Sequence, residues 1–112
     1  MTSESALPDT SYDNLQSRVE RALELIPEQI DEAQQIAHDV LAAAQTDGQH
    51  ELAARALYVL GFAHYHLLTY TEAFTYLDQA QQLLTQHALS LPDLEVRILN
   101  IHAITQRQLG DF

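Results

Sequence analysis

The spacing of small and large apolar residues between two neighbouring segments constrains this chain more than any other feature. Leu57, Leu60 and Gly61 lie on one predicted helix, and Ala73 and Ala80 lie on the next. Two helices approach each other closely only where the facing side chains are small, so the glycine and the alanines are the predicted contact points. A helical hairpin of this kind cannot cover its own apolar faces. The pattern therefore predicts further hairpins stacked on the first.

The pattern recurs along the chain. Residues 67–70 return as residues 109–112, a shift of 42, which also places Leu57 on Leu99 and Gly61 on Ala103. Upstream, a shift of 40 places Ala33 on Ala73. An internal period of this length is the signature of an array of repeated structural units.

The repeated unit resembles a tetratricopeptide repeat (TPR), whose template is W-x2-L-G-x2-Y followed by A-x3-F and a closing Pro. The matching or substituted slots are Leu57, Leu60-Gly61, His64 in the Tyr slot, Ala73, Leu77 in the Phe slot and Thr85 in the Pro slot. A period longer than the usual length of about 34 residues indicates helices extended by about a turn. The chain is similar to the long-helix arrays found beside bacterial signalling domains such as diguanylate cyclases. The resemblance covers nearly everything after residue 11. It implies an all-α fold, a short right-handed solenoid of antiparallel helix-turn-helix repeats with about five helices.

Turn and capping signals divide the chain. Residues 1–10 are predicted to be a disordered tail, and residues 11–112 a domain of two full repeats plus the first helix of a third. The expected helices cover about 12–26, 28–46, 49–67, 70–87 and a fifth that starts near residue 92. Pro27 is expected in the first turn of the second helix. Two capping boxes, Thr69 with Glu72 and Ser90 with Asp93, are expected to open the fourth and fifth helices.

The fifth helix is unusually apolar for the end of an array. Ile98, Leu99, Ile101 and Ile104 place apolar side chains on more than one of its sides, whereas a terminal cap needs a polar outer face. We therefore expect the chain to be a fragment of a longer protein. The exposed face would be covered by a missing helix, by a downstream domain, or by a second copy in a homodimer formed through this helix.

Charge and composition exclude several classes of partner. The chain has 16 acidic residues against five Arg and no Lys, a net charge of −11, which disfavours nucleic acid and anionic membranes. It has no Cys, so thiol chemistry and Cys-ligated metal are excluded. The N-terminal segment lacks the basic and apolar regions of a signal peptide, and no apolar run is long enough to span a membrane. A cytoplasmic location is the prediction.

The resemblance implies a concave binding surface lined by the first helix of each repeat. Carried over by template slot, its residues are Arg55, Tyr58, Phe62, Tyr65 and His66 on the third helix, and Arg97, Asn100, Ile104 and Arg107 on the fifth. Guanidinium groups bind carboxylates, and aromatic rings supply contact area at low entropic cost. Together they would suit an extended or helical peptide that bears an acidic group and apolar anchors. In the alternative, the aromatic residues pack against the fourth helix and the Arg residues pair with local carboxylates.

Three functions follow from these observations. The first is a protein-interaction or scaffold module that binds a peptide or partner domain through the groove. The second is a regulatory or dimerisation segment of a bacterial signalling enzyme or transcription regulator. The third is a small-molecule sensor that uses the aromatic cleft around Phe62, Tyr65 and His66. Catalysis, metal binding and cofactor binding are not expected, because no nucleophile with a base, no phosphate loop and no His-x3-His spacing occurs.

Overall fold

Five α-helices make up the part of the chain that the structure, a computed structural model, describes, residues 11–110. They are α1 (Tyr12–Leu25), α2 (Ile30–Asp47), α3 (His50–His66), α4 (Tyr70–Gln86) and α5 (Pro92–Gln108). The all-α class and the stacking of successive helices are therefore confirmed. The predicted disordered tail, residues 1–10, lies outside the described residues.

The helices form an open array centred on α3. Each helix packs on the next one along the chain, and α3 also packs on α1 and α5. The odd-numbered helices thus lie side by side in one layer, with α2 and α4 in a second layer. Among the described helices, α1 and α5 make no contact with each other, so the array does not close into a bundle.

The repeat spacing reappears in the helix boundaries. A shift of 40 carries the start of α2 onto the start of α4, and a shift of 42 carries the start of α3 onto that of α5. Two apolar clusters fill the array, one joining α1, α2 and α3 and the other joining α3, α4 and α5. Since α3 contributes to both clusters, it is the most deeply buried of the helices.

Small residues bring α3 and α4 together where the sequence predicts. A Cβ atom added to Gly61 would lie only 2.7 Å from Leu77 Cγ and 3.3 Å from the Ala73 carbonyl oxygen. Ala73 and Ala80 are fully buried on the α4 side of the contact. Leu77 fills the space that the missing side chain of Gly61 leaves open.

Three successive helices end in the same hydrogen-bonded turn. Gly48, Leu68 and Ala88 each have positive φ, at 69°, 63° and 52°. In each case the N–H of the next residue bonds a carbonyl five residues back, as in Gln49 N to Ala44 O at 2.8 Å. This is a Schellman turn, which satisfies the last carbonyls of the helix. Repetition of one turn keeps the hairpins in the same geometry.

Three local predictions are wrong. Pro27 lies in the turn before α2, because Gln29 N–H bonds Leu25 O and helical structure resumes only at Ile30. Thr69 is at the N-cap of α4 but does not form the capping box. Its hydroxyl donates to His64 O at 3.1 Å and accepts from His64 Nδ1 at 2.8 Å, and it does not cap an N–H of the first turn.

The third wrong prediction is the capping box of Ser90 with Asp93. The N-cap of α5 is Leu91 rather than Ser90, and Pro92 occupies the first turn. Glu95 accepts a hydrogen bond from the Leu91 N–H at 2.9 Å, so a carboxylate serves the N–H of the N-cap residue from position 95 rather than 93.

Candidate functional site

A polar cleft opens on the layer formed by α1, α3 and α5. Its volume is about 190 Å³, and its walls come from all three helices. The lining residues are Gln16, Val19, Glu20, Leu23, Arg55, Asp93 and Arg97. We call this feature the inner cleft. It forms because the three helices lie side by side and the side chains of the central one lie at its floor.

A chain of hydrogen bonds crosses the inner cleft at the N-terminal ends of these helices. Tyr12 on α1 donates to Glu51 Oε2 at 2.8 Å, and Arg55 Nε donates to the same oxygen at 3.2 Å. Arg55 Nη1 reaches Asp93 on α5 at 3.4 Å. The network joins three helices that are distant in sequence. Arg55 is therefore engaged by local carboxylates, as the alternative interpretation of its role anticipated.

The network shifts the pKa of the groups at its two ends. The hydrogen bond from Tyr12 to the Glu51 carboxylate, together with partial burial, raises the pKa of Tyr12 above its usual value. Desolvation acts to raise the pKa of Asp93. The charge of Arg55 and the hydrogen bonds that Asp93 receives outweigh it, so the pKa of Asp93 lies below its usual value. Both shifts favour the protonation states that keep the network intact at neutral pH.

Arg97 is the cationic residue of the inner cleft with an exposed side chain. Among residues 11–110 it forms no ion pair, in contrast to Arg55. It lies close to Tyr58, whose pKa is raised by burial and partly lowered again by the Arg97 charge. Arg97 is thus the guanidinium that remains available to an anionic group in the cleft.

Tyr58 belongs to the core rather than to the open surface. Only 6% of its surface is exposed, and it packs with Leu94 and Ile98 of α5. The alternative interpretation expected the aromatic residues to pack against α4, and the cluster that buries Tyr58 contains residues of α5 as well as α4. Little of the ring is left for a partner to contact.

The remaining aromatic residues of α3 form a half-exposed cluster toward its C-terminal end. The Phe62 ring meets the His66 ring edge to face at 4.6 Å and stacks on Tyr65 at 6.4 Å. Tyr65 also approaches Tyr70 at the start of α4, at 6.3 Å. Phe62, Tyr65 and His66, which the sequence placed on one side of α3, contact one another in the structure. They continue the same side of α3 beyond Arg55, since residues 55, 62 and 66 share one stripe of a helix.

The predicted residues of α5 continue the stripe that begins with Asp93 and Arg97. Asn100 and Arg107 are exposed, and Ile104 is half-buried. Their spacing of three and four residues places them on the side of α5 that carries the two cleft residues.

Sequence reasoning missed the wall of the inner cleft that α1 supplies. Gln16, Glu20 and Leu23 line the cleft, but the template comparison began at the second hairpin and assigned no residue on α1. The sequence of α1 did contain a pattern that could have identified this wall. Residues 12, 16, 20 and 23 form a stripe beside the buried stripe of Leu15 and Val19.

His64 lies on a different side of α3 and ties three helices together. Its Nδ1 lies 2.8 Å from the Thr69 hydroxyl, its Nε2 lies 3.3 Å from Gln34 Nε2, and its ring stacks on Tyr76 at 5.4 Å. Because the Thr69 hydroxyl already donates to His64 O, Nδ1 carries the ring proton and Nε2 accepts from Gln34. Burial lowers the pKa of His64, so the ring is a neutral structural group.

Within residues 11–110, no cluster of three or more His, Asp or Glu residues is placed to hold a metal ion. Within the same range, the helices fall short of the length and apolar character that crossing a bilayer requires.

Comparison of the chain with models of known families, with curated proteins and with solved structures gave no significant match.

Proposed function

We propose that this chain is a TPR-like interaction module that binds an extended or helical segment of a partner protein in the inner cleft. The observation that carries the proposal is the cleft itself. Three helices remote in sequence converge on it, with an exposed guanidinium at Arg97 and a half-exposed aromatic cluster along the same side of α3. Open surfaces of stacked helical repeats are commonly used to bind extended segments.

The chemistry of the cleft specifies the partner segment. Arg97 favours a carboxylate on the ligand, whereas Arg55 is held by Glu51 and Asp93 and serves to fix the floor. Phe62 and His66 offer apolar and aromatic contact further along α3. The best fit is a peptide with one acidic residue followed by an aromatic or aliphatic anchor. A segment rich in acidic residues fits poorly, because the chain carries a net charge of −11.

Selection from a phage-displayed library of random peptides tests the proposal. Peptides recovered on the full chain are expected to carry an acidic residue near an apolar anchor. Their affinity, measured by fluorescence anisotropy, should fall at least about tenfold in Arg97→Glu, because a charge-assisted hydrogen bond is replaced by repulsion. Arg21→Glu is the matched control, since it makes the same charge change on the exposed side of α1 and should leave affinity within about twofold.

Chemical-shift mapping with the selected peptides provides the second measurement. Perturbations should centre on Gln16, Arg97 and the ring of Phe62, on the side formed by α1, α3 and α5. Equal loss of affinity in both Arg variants, or perturbations centred on α2 and α4, would show that the ligand site lies elsewhere.

A further inference from the structure

Helix α5 presents an apolar surface on a different side from the one that lines the inner cleft. Val96 and Leu99 are 57% and 53% exposed, and Ala103 is exposed one turn further along. We call these three residues the α5 face. Isolated exposed apolar residues are ordinary, but three in register on one helix form a patch.

The α5 face repeats the surface of α3 on which α4 packs. The same shift of 42 relates its three residues to Ala54, Leu57 and Gly61. All three are buried, and a Cβ added to Gly61 would overlap Leu77 of α4. The α5 face therefore has the shape of a helix-docking site, with its small residue at the equivalent position.

A cleft beside the α5 face repeats a second part of that site. Between α4 and α5 lies an opening of about 240 Å³ whose walls include Gln81, Thr85 and Leu99. The equivalent positions in the preceding hairpin are Leu41, Gln45 and Leu57, which border a groove of the same volume together with Leu83 of α4. Leu83 is half-buried there and packs on both apolar clusters. Leu57 is 4% exposed where α4 lies over it, whereas Leu99 is 53% exposed beside the α4–α5 cleft.

The charge of α5 favours a second copy of the chain as the partner that covers the α5 face. Within α5 two acidic residues, Asp93 and Glu95, are balanced by Arg97 and Arg107, although the whole chain has a net charge of −11. Two copies of so acidic a chain repel each other over most of their surface, and least where the approaching helix is neutral. The opposite end of the array is unsuitable, because the exposed residues of α1 include Asp13, Glu20, Arg21 and Glu24.

We propose that two copies of this chain pair through their α5 faces about a two-fold axis that passes close to Leu99. Such an axis makes the two α5 helices antiparallel, the orientation in which α4 packs on α3. It places Leu99 against the partner's Leu99 and Val96 opposite the partner's Ala103. The larger side chain then meets the smaller one on both sides of the axis. The pairing does not rest on peptide binding, since the inner cleft lies on another side of α5.

Sedimentation equilibrium of the full chain, from low to high micromolar concentration, tests the pairing. The wild type is expected to reach the mass of a dimer. Leu99→Glu should raise the dissociation constant at least about tenfold, since each interface would bury two carboxylates against each other, with helicity by circular dichroism unchanged. Leu68→Glu is the matched control, because Leu68 is 69% exposed but lies between α3 and α4. It should dimerise like the wild type.

Cysteine cross-linking tests the position of the axis. The chain has no Cys, so Leu99→Cys introduces a single thiol that should form an intermolecular disulfide under mild oxidation. Leu68→Cys should not form one at the same rate. A wild type that stays monomeric over the whole range, a Leu99→Glu variant that still dimerises, or equal cross-linking of both cysteine variants would overturn the proposal.

Discussion

Helices α3 and α5 carry the same repeated pattern but lie in different surroundings. Helix α3 is packed by its four neighbours, whereas α5 contacts only α3 and α4 among the described helices. Leu57 on α3 is 4% exposed, and Leu99 at the equivalent place on α5 is 53% exposed. A repeat pattern thus specifies which side of a helix is built for contact. Whether that side is covered depends on what packs next to it.

The comparison also separates two uses of small residues. Gly61 is indispensable where α4 packs, because any Cβ would overlap Leu77. Ala103 keeps the same position small although no helix lies over it within the described residues. Alanine also has the highest helix propensity, so Ala103 stabilises α5 at this exposed position without any partner.

The largest expected difference between the two helices comes from removing their equivalent leucines. Leu57→Ala should lower the free energy of unfolding by about 2–4 kcal/mol, because it leaves a cavity under α4. Leu99→Ala should cost less than about 0.5 kcal/mol in dilute solution, where the side chain faces solvent. Urea unfolding followed by circular dichroism measures both. Equal losses would mean that α5 is as covered as α3 in the isolated chain.

Adding a side chain at the two small positions should give the next largest contrast. Gly61→Val should lower the free energy of unfolding by about 1–3 kcal/mol, since the new methyl groups displace Leu77 from a closely packed contact. Ala103→Val should cost about 0.5 kcal/mol, the difference in helix propensity alone. Thermal unfolding of the two variants at low concentration provides the measurement. If Ala103→Val proves the more damaging, the α5 face is already occupied within the monomer.

The sequence predicted the helices and the contact points of the array because both depend on local, periodic signals. Gly48 ends α2 and the small residues at 61, 73 and 80 lie at helix contacts, as expected. The Thr69 capping box failed because its hydroxyl is held by His64, donating to the carbonyl oxygen and accepting from Nδ1–H, and this pairing forms only when α3 ends in a left-handed turn. Such competition depends on tertiary geometry.

The candidate site was predicted only in part for the same reason. The stripe on α3 could be read from its spacing, but the engagement of Arg55 by Glu51 and Asp93 requires knowing that α3 and α5 lie side by side. The α1 wall had no template match to mark it. The burial of Tyr58 follows from α5 packing over it, which a pattern on α3 alone does not contain.

Acid should lower the stability of the fold through His64 on α3. The equivalent residue on α5, related by the shift of 42, is Gln106. The folded-state pKa of His64 lies below its unfolded value because burial disfavours the charged ring. Its neutral form therefore stabilises the fold above the unfolded pKa, about 6.5, and this contribution is lost as the pH falls toward the folded pKa.

The free energy of unfolding in urea, measured over a series of pH values for His64→Gln and the wild type, tests this contribution. The variant carries the α5 residue at the α3 position and should lose stability less steeply than the wild type as the pH falls below about 6.5. His87→Gln is the control, since His87 is exposed just after α4 and its ring stacks on His50 rather than on a partner of His64. A variant that follows the wild-type curve would show that His64 does not titrate with folding.

The smallest effect concerns the helix ends, where α4 differs from α2 and α5. All three terminate at a residue with positive φ, but α2 and α5 supply Gly48 and Gly110, whereas α4 supplies Ala88 at φ 52°. Alanine is strained in the left-handed region, and glycine is not. Ala88→Gly should therefore raise the free energy of unfolding by about 0.5 kcal/mol, the gain being reduced by the greater freedom of glycine in the unfolded chain. Gly48→Ala should lower it by about 1 kcal/mol, because it introduces the same strain at the end of α2. Parallel denaturant titrations would show whether each variant raises or lowers the free energy of unfolding. Destabilisation by Ala88→Gly would mean that contacts of the Ala88 side chain, rather than its backbone conformation, maintain the Schellman turn after α4.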